Sequence, residues 1–108
     1  MSDFTFSSIL SMQQSLQEKY AGQWEPIGPA TGKNKLLWMI GEVGEVIDIV
    51  KKHGDEAACT DPALRAHLTE ELADVLMYFG DVLLCYGISP EELKFAYEAK
   101  FRKNMARW

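Results

Sequence analysis

The sequence predicts an all-α protein built as a four-helix bundle, and two observations support this. Apolar residues recur at intervals of three and four positions along most of the chain, which is the helical period, and strand-like alternation is absent. Glycines, prolines and capping residues divide the periodic segments into four helices with short connections. Helices joined in this way favour an antiparallel bundle or a close relative of one.

The first two predicted helices are separated by a loop rich in glycine and proline. The first runs from about Thr5 to Tyr20, and the second begins near Lys33 and ends near His53, where Gly54 supplies the stop. The predicted core stripe of the second helix comprises Leu36, Ile40, Val43, Ile47 and Val50.

The third and fourth predicted helices carry clear start signals. Asp61 followed by proline is a good N-cap, and the helix that it opens runs to about Tyr86 before Gly87. A Ser-Pro-Glu-Glu capping box at Ser89 opens the last helix, which continues to near the C-terminus.

The composition limits the kinds of protein that the chain can be. Its 108 residues are one domain's worth, and 47% apolar against 25% charged residues indicates a folded chain. A core of this size is modest, and such chains often finish burying apolar surface by forming oligomers. Sixteen acidic against 11 basic residues argue against a nucleic-acid-binding surface. A nucleotide ligand stays compatible, because a metal ion can carry positive charge to the phosphates.

The cysteines and the apolar runs indicate a protein of the cytoplasm. Cys59 and Cys85 form neither a disulfide framework nor a zinc motif, and Cys85 lies in an apolar run typical of a core. The first residues lack the basic start and apolar stretch of a signal peptide. The longest apolar runs, such as residues 36–40, are too short to span a membrane. We therefore expect a cytoplasmic protein with no membrane or nucleic-acid partner.

Two acidic pairs are the main candidates for chemistry. Glu42 and Glu45 lie three residues apart on the second predicted helix, and Glu71 and Asp74 lie three apart on the third, so each pair shares a helix face. Each pair is roughly 15 Å from the connecting turn at 1.5 Å rise per residue. In an antiparallel hairpin the two pairs come level, and four carboxylates then face each other.

Such a cluster predicts a metal site. Like charges at close range raise each other's pKa, and a divalent cation removes that cost. Oxygen ligands with no nearby histidine or cysteine suit Mg²⁺, or Mn²⁺ as a substitute, with positions left for water and phosphates. Acidic residues at this spacing are also common on solvated helix faces. The apolar flanks and matched heights of the two pairs favour the metal site.

Further candidates share the faces of these helices or lie near the C-terminus. Trp38 and Tyr78 lie one turn from the acidic pairs and either stack on a nucleobase or pack in the core. Asp48 and Asp81 continue the same faces, as supporting or solvated groups, while His67 favours a surface role. A polar cluster that either holds phosphates or complements the helix dipole comprises Lys100, Lys103, Asn104 and Arg107.

These residues together resemble a known family. The runs GEVGEV at residues 41–46 and EELADVLMY at residues 70–78 resemble the MazG-like nucleotide pyrophosphohydrolases of the all-α NTP pyrophosphatase superfamily, whose signature is E-x-x-E followed by E-x-x-D on the next helix. Trp24, Asn34 and the run to Glu45 are similar to the dCTP pyrophosphatase branch. The ending KNMARW at residues 103–108 is similar to the family's K-N-x-x-R-[YW] tail.

The resemblance implies a fold, a reaction and a set of site residues. It implies one MazG-like all-α domain over residues 1–108 that assembles into homodimers or homotetramers. It also implies Mg²⁺-dependent hydrolysis of (deoxy)nucleoside triphosphates to monophosphate and pyrophosphate, as in nucleotide-pool house-cleaning. The implied catalytic metal ligands are Glu42, Glu45, Glu71 and Asp74. The implied substrate contacts are Asn34 and Trp38 near sugar or base, with Lys100, Lys103, Asn104 and Arg107 on the phosphates.

Two departures from the family pattern matter. Many members have E-E-x-x-E, but Gly41 stands at the first position, as in the dCTP branch, so a metal ligand or the metal itself has to activate water. The histidine of that branch has no counterpart in residues 25–33, which counts against dCTP preference.

Two alternative functions stay open. A phosphoribosyl-ATP pyrophosphohydrolase is disfavoured by Phe79, where those enzymes typically have histidine. A non-catalytic helical dimerisation or scaffold module would have solvated acidic pairs.

Overall fold

The computed structural model describes residues 3–107, and most of them are helical. The helices are α1 (Phe6–Lys19), α2 (Gly32–His53), α3 (Asp55–Thr60), α4 (Pro62–Tyr86) and α5 (Pro90–Arg107), and a 3-10 turn at Pro29–Thr31 precedes α2. These residues include no strand, only an isolated bridge between Ala21 and Trp24. The all-α prediction is confirmed, whereas the predicted count of four helices is wrong.

The additional helix is α3, which lies in the short connection predicted between the second and third helices. Asp55 and Glu56 lie in its first turn, where negative charge stabilises a helix dipole. Two alanines follow, and alanine has the highest helix propensity. Ala58 is buried, so packing adds to local preference and a short helix forms between α2 and α4.

The helix ends follow the local signals in the sequence. The Asp61 carboxylate accepts hydrogen bonds from the backbone N–H groups of Ala63 and Leu64 at 3.0 and 3.2 Å. Gly54 and Gly87, with φ of +89° and +66°, end α2 and α4. Only glycine adopts such angles without steric cost, so these predicted stops are confirmed.

The core lies where α2 and α4 pack together and α1 crosses α4. A side chain at Gly80 would place its Cβ 3.1 Å from Gln13 Cγ and 3.2 Å from Ile9 Cγ2. The missing side chain therefore lets α1 approach α4 closely. The buried apolar residues are Ile9, Ile49, Ala58, Val82, Leu83 and Cys85.

The face that α2 turns inward differs from the predicted one. Ile40, in the middle of the predicted core stripe, is 65% exposed, and Ile47 is exposed as well. The buried residues of α2 are instead Gly32, Lys35 and Ile49. Helix α2 has apolar residues on more than one face, and packing on α4 uses the face that also carries Lys35. One apolar stripe of α2 is left uncovered by this chain.

Helix α5 does not complete a bundle within one chain. The pair α4 and α5 is bent by 110°, and α5 makes hardly any contact with the other helices. Phe95 and Tyr97 on α5 are 72% and 75% exposed. The radius of gyration is 16.3 Å, compared with about 13 Å for a compact chain of this length.

Among residues 3–107, no single helix is long and apolar enough to cross a membrane. Only the bent pair of α4 and α5, taken together, has the required length and composition.

Candidate functional site

Three of the four predicted carboxylates come together between α2 and α4. One oxygen from each of Glu42, Glu45 and Glu71 lies within 4.8 Å of the other two. The hairpin therefore brings the two acidic pairs level, because each lies a similar distance along its helix from the connection.

Asp74 and His67 lie beside this cluster. Asp74 is not part of the close triple, but its negative charge contributes to raising the pKa of Glu42 and of Glu71. His67 Nε2 is 3.5 Å from Glu71 Oε1, so its ring reaches the cluster while most of it stays exposed. His67 therefore lies mostly at the surface, as expected, but it also contacts Glu71 of the cluster.

The cluster is electrostatically unfavourable without a cation. Desolvation, followed by the neighbouring Glu45 and Glu71 carboxyls, raises the pKa of Glu42 to about 7. The pKa of Glu71 is also raised, first by its hydrogen bond with Glu45 and then by desolvation. One oxygen each of Glu42 and Glu71 is buried without a hydrogen-bond partner among the described residues. Orphaned carboxylate oxygens in an all-oxygen set fit a hard divalent cation.

A cavity of about 930 Å³ adjoins the carboxylates. Trp24, Trp38 and Tyr78 supply aromatic walls, and Asp74 and Gly41 line the part next to the cluster. Desolvation first, and then the nearby carboxylate charges, raises the pKa of Tyr78, so its phenol stays neutral at physiological pH. An aromatic cavity with polar groups at its edge is the usual form of a small-molecule site.

The predicted substrate residues near α2 all lie on this cavity. Asn34 lines it, and its side-chain amide donates a 2.9 Å hydrogen bond to Glu25 Oε2 in the preceding loop. Trp38 is largely exposed although it lines the cavity, which leaves its ring free to stack. At Gly41, a Cβ would meet nothing within 4 Å, so the space at this position beside Glu42 is open.

The sequence predicted a supporting or solvated role for Asp81, but not the buried polar trio that Asp81 forms with Gln13 and Lys35 on the same cavity. Gln13, Lys35 and Asp81 are 4%, 7% and 4% exposed. The Gln13 side-chain amide donates to Asp81 Oδ1 at 2.9 Å, and Lys35 Nζ lies 3.7 Å from Asp81 Oδ2. Asp81 is therefore not solvated. Gln13 was detectable, because it interrupts the apolar stripe between Ile9 and Leu16 on α1.

The predicted phosphate contacts on α5 lie elsewhere in this chain. Lys100 and Asn104 line a separate shallow groove of about 430 Å³ on α5 itself. Since α5 does not pack on α2, it does not bring these residues, or Lys103 and Arg107, to the carboxylates. Trp108, the last residue of the similar tail, lies outside the described residues.

Comparison with known proteins identifies the family. Residues 30–107, more than half of the chain, match the MazG nucleotide pyrophosphohydrolase domain, a family that typically uses a divalent metal. Searches of curated proteins and of solved structures find no match. The matched range includes the carboxylate cluster and α5 but not α1. The chain therefore belongs to the MazG nucleotide pyrophosphohydrolase family.

Proposed function

We propose that this chain hydrolyses (deoxy)nucleoside triphosphates to the monophosphate and pyrophosphate, in a Mg²⁺-dependent reaction that clears nucleotides from the cytoplasmic pool. The observation that carries the proposal is the junction between the carboxylate cluster and the aromatic cavity, since Asp74 and Gly41 line the cavity beside the clustered glutamates. A cavity of this volume is within the usual range for a ligand of nucleotide size.

The clustered carboxylates are the residues that would hold the metal. Glu42, Glu45 and Glu71 supply the close oxygens. We assign Asp74, whose charge acts on Glu42 and Glu71 from beside the cluster, as the fourth ligand. When bound, Mg²⁺ or its substitute Mn²⁺ supplies charge neutralisation at the phosphates and a lowered pKa for bound water. Because no side chain occupies position 41, we assign acceptance of the water's proton to one of these four carboxylates.

The cavity residues bind and orient the nucleoside. Trp38 offers an exposed ring face for stacking, and Tyr78 offers a neutral phenol between the base and the carboxylates. Asn34 is held by Glu25 at the cavity edge, where its carbonyl oxygen is available to a sugar hydroxyl. Phosphoryl transfer depends mainly on such positioning and on electrostatics, so few covalent roles are required.

The active form is a homodimer or homotetramer. An apolar stripe of α2 is uncovered and the apolar residues of α5 are exposed, so this chain exposes more apolar surface than a monomer of its size usually does. Its radius of gyration is also large for its length. A second copy that covers α5 would bring Lys100, Lys103, Asn104 and Arg107 of one chain to the phosphates in the other chain's site. The apolar residues that accompany them on α5 are Phe95, Tyr97, Phe101 and Met105.

Two measurements test the assembly. Phe101→Asp is expected to lower the mass measured by light scattering, whereas Phe4→Asp, at an exposed aromatic before α1, is expected to leave it unchanged. Mixing an inactive Glu71→Gln variant with an inactive Lys100→Ala variant is expected to restore part of the activity. A monomeric wild type, or no restoration on mixing, would contradict this arrangement.

The reaction is tested with purified protein, Mg²⁺ and a panel of ribo- and deoxynucleoside triphosphates plus phosphoribosyl-ATP. We expect monophosphate and pyrophosphate on ion-exchange chromatography, and no products with EDTA. Glu71→Gln weakens a metal ligand with almost no change of shape. We expect it to raise the reaction barrier by several kcal/mol, which lowers kcat by at least about 100-fold. Glu70→Gln, at the exposed neighbouring position, is the matched control.

The other outcomes each reject a part of the proposal. Diphosphate and orthophosphate as products would show that the bond assignment is wrong. Phosphoribosyl-ATP as the fastest substrate would select the alternative enzyme. No turnover of any nucleotide, together with no Mg²⁺-dependent rise in melting temperature, would select the scaffold function.

A further inference from the structure

We infer that the buried trio Gln13, Lys35 and Asp81 reads the edge of the nucleobase and selects bases that carry an exocyclic amino group beside a ring-nitrogen acceptor. This inference rests on the proposed function, because it assigns the base end of the same cavity. The ligand class is a nucleotide with an amino base, of the cytosine or adenine type, in preference to its keto counterpart.

The trio lies at the right distance from the carboxylates for this role. Lys35 precedes Glu42 by two helical turns on α2, and Asp81 follows Asp74 by two turns on α4. At 1.5 Å rise per residue, the trio is roughly 10 Å along both helices from the carboxylates. A nucleoside whose phosphates lie at the carboxylates can bridge this separation with its base. The aromatic side chains of Trp38 and Tyr78 line the cavity that joins the two ends.

The three polar groups retain unused hydrogen-bonding capacity. Gln13 occupies one lone-pair position of Asp81, and an ionised carboxylate offers about four. The 3.7 Å separation between Lys35 Nζ and Asp81 Oδ2 is too long for a hydrogen bond, so Asp81 does not consume the Lys35 N–H donors. All three residues line the cavity although each is more than nine-tenths buried. The cavity floor therefore offers the Asp81 carboxylate, which only accepts hydrogen bonds, beside the Lys35 ammonium, which only donates them.

This pair of groups discriminates between amino and keto bases. An amino group of the base donates to Asp81 while its adjacent ring nitrogen accepts from Lys35. This discrimination requires one register, in which the exocyclic group of the base lies at Asp81 and the ring nitrogen at Lys35, with the base held by Trp38 and Tyr78. In that register a keto base presents a carbonyl oxygen to the carboxylate and an N–H group to the ammonium, so both contacts become unfavourable. Buried groups that lose their partners reject a ligand strongly, and a paired edge contact discriminates between bases about 10- to 100-fold.

Helix α1 contributes a residue from outside the matched domain to this end of the site. It lies outside the matched residues 30–107, yet it contributes the amide that orients Asp81. Gly80, next to Asp81, permits the close approach of α1, since a Cβ there would lie 3.1 Å from Gln13 Cγ. Base selection is thus assigned to the contact between α1 and the family domain.

The test is a competition between substrates that differ only in an amino or a keto group. Equimolar mixtures of the deoxycytidine and deoxyuridine triphosphates, and of the adenosine and inosine triphosphates, are hydrolysed by the full chain with Mg²⁺. We expect kcat/KM to favour the amino member of each pair about 10-fold or more. Asp81→Asn turns one acceptor into a donor with little change of shape, so the ratio is expected to fall at least 10-fold.

The controls separate recognition from folding. Asp55→Asn, at an exposed position of α3 outside the cavity, should leave the ratio unchanged. If Asp81→Asn does not fold, Gln13→Met removes the amide that orients Asp81 and should also lower the ratio. A wild-type ratio near one or favouring keto bases, or variants that slow both members equally, would overturn the inference while the proposed function stands. Absence of pyrophosphate release from every nucleotide would overturn the proposed function itself.

Discussion

The carboxylate cluster predicts that the metal-free protein loses stability as the pH rises from about 4.5 to about 7. The folded state raises the pKa of Glu42 from 4.5 to about 7, mainly by desolvation. Folded protein therefore binds this proton more tightly than unfolded protein, and the free energy of unfolding falls when the proton leaves. The stability that the folded protein gains from binding this proton is fully present below pH 4.5 and is lost as the pH rises through about 7.

The size of the effect follows from the pKa difference. A change from 4.5 to about 7 corresponds to at most about 3 kcal/mol of stability. Because Glu42 is only partly buried, screening by water reduces this value, and we expect about 1–2 kcal/mol. For a chain of this size, that loss lowers the melting temperature by roughly 5–10 °C.

The assay is thermal unfolding in EDTA at pH values from 4.5 to 8, followed by circular dichroism. Glu42→Gln should remove most of the decrease, whereas Glu70→Gln, at an exposed position, should retain it. Added Mg²⁺ should raise the melting temperature more at pH 8 than at pH 5, because the ligands bind metal only when deprotonated. A metal-free melting temperature that rises through this window, or the same decrease in Glu42→Gln, would refute the reasoning.

Three further predictions concern local packing and the cavity. Asp61→Ala removes the two cap hydrogen bonds of α4 and should lower the free energy of unfolding in urea by about 1 kcal/mol; no change would mean that the cap is dispensable. Gly41→Ala places a methyl group in open space and should raise that free energy by about 0.5–1 kcal/mol. Gly32→Ala instead puts its Cβ against the Tyr86 ring and should lower the free energy of unfolding by about 1–3 kcal/mol; effects of the same sign would contradict this contrast. Trp38→Ala should raise KM roughly 5- to 100-fold through lost base stacking, with little change in melting temperature because the ring is 61% exposed; an unchanged KM in steady-state kinetics would remove this residue from the site.

The sequence by itself determined four of the five helices in the described residues and the position of the acidic pairs along them. Caps and stops depend on contacts within a few residues, so Asp61, Gly54 and Gly87 marked the helix ends correctly. The position of Glu42 opposite Glu71 across the hairpin followed from counting residues along two helices joined by a short connection. The short helix α3 was missed because its few residues have no apolar period of their own.

Only the tertiary structure decided which faces are buried. Helix α2 has competing apolar faces, and periodicity alone selected the stripe containing Ile40, which this chain leaves exposed. Packing on α4 instead buries Lys35, and its charge is tolerated there because Asp81 lies beside it and Gln13 reaches the same carboxylate. Burial of these three side chains depends on contacts between α1, α2 and α4, which are distant in sequence.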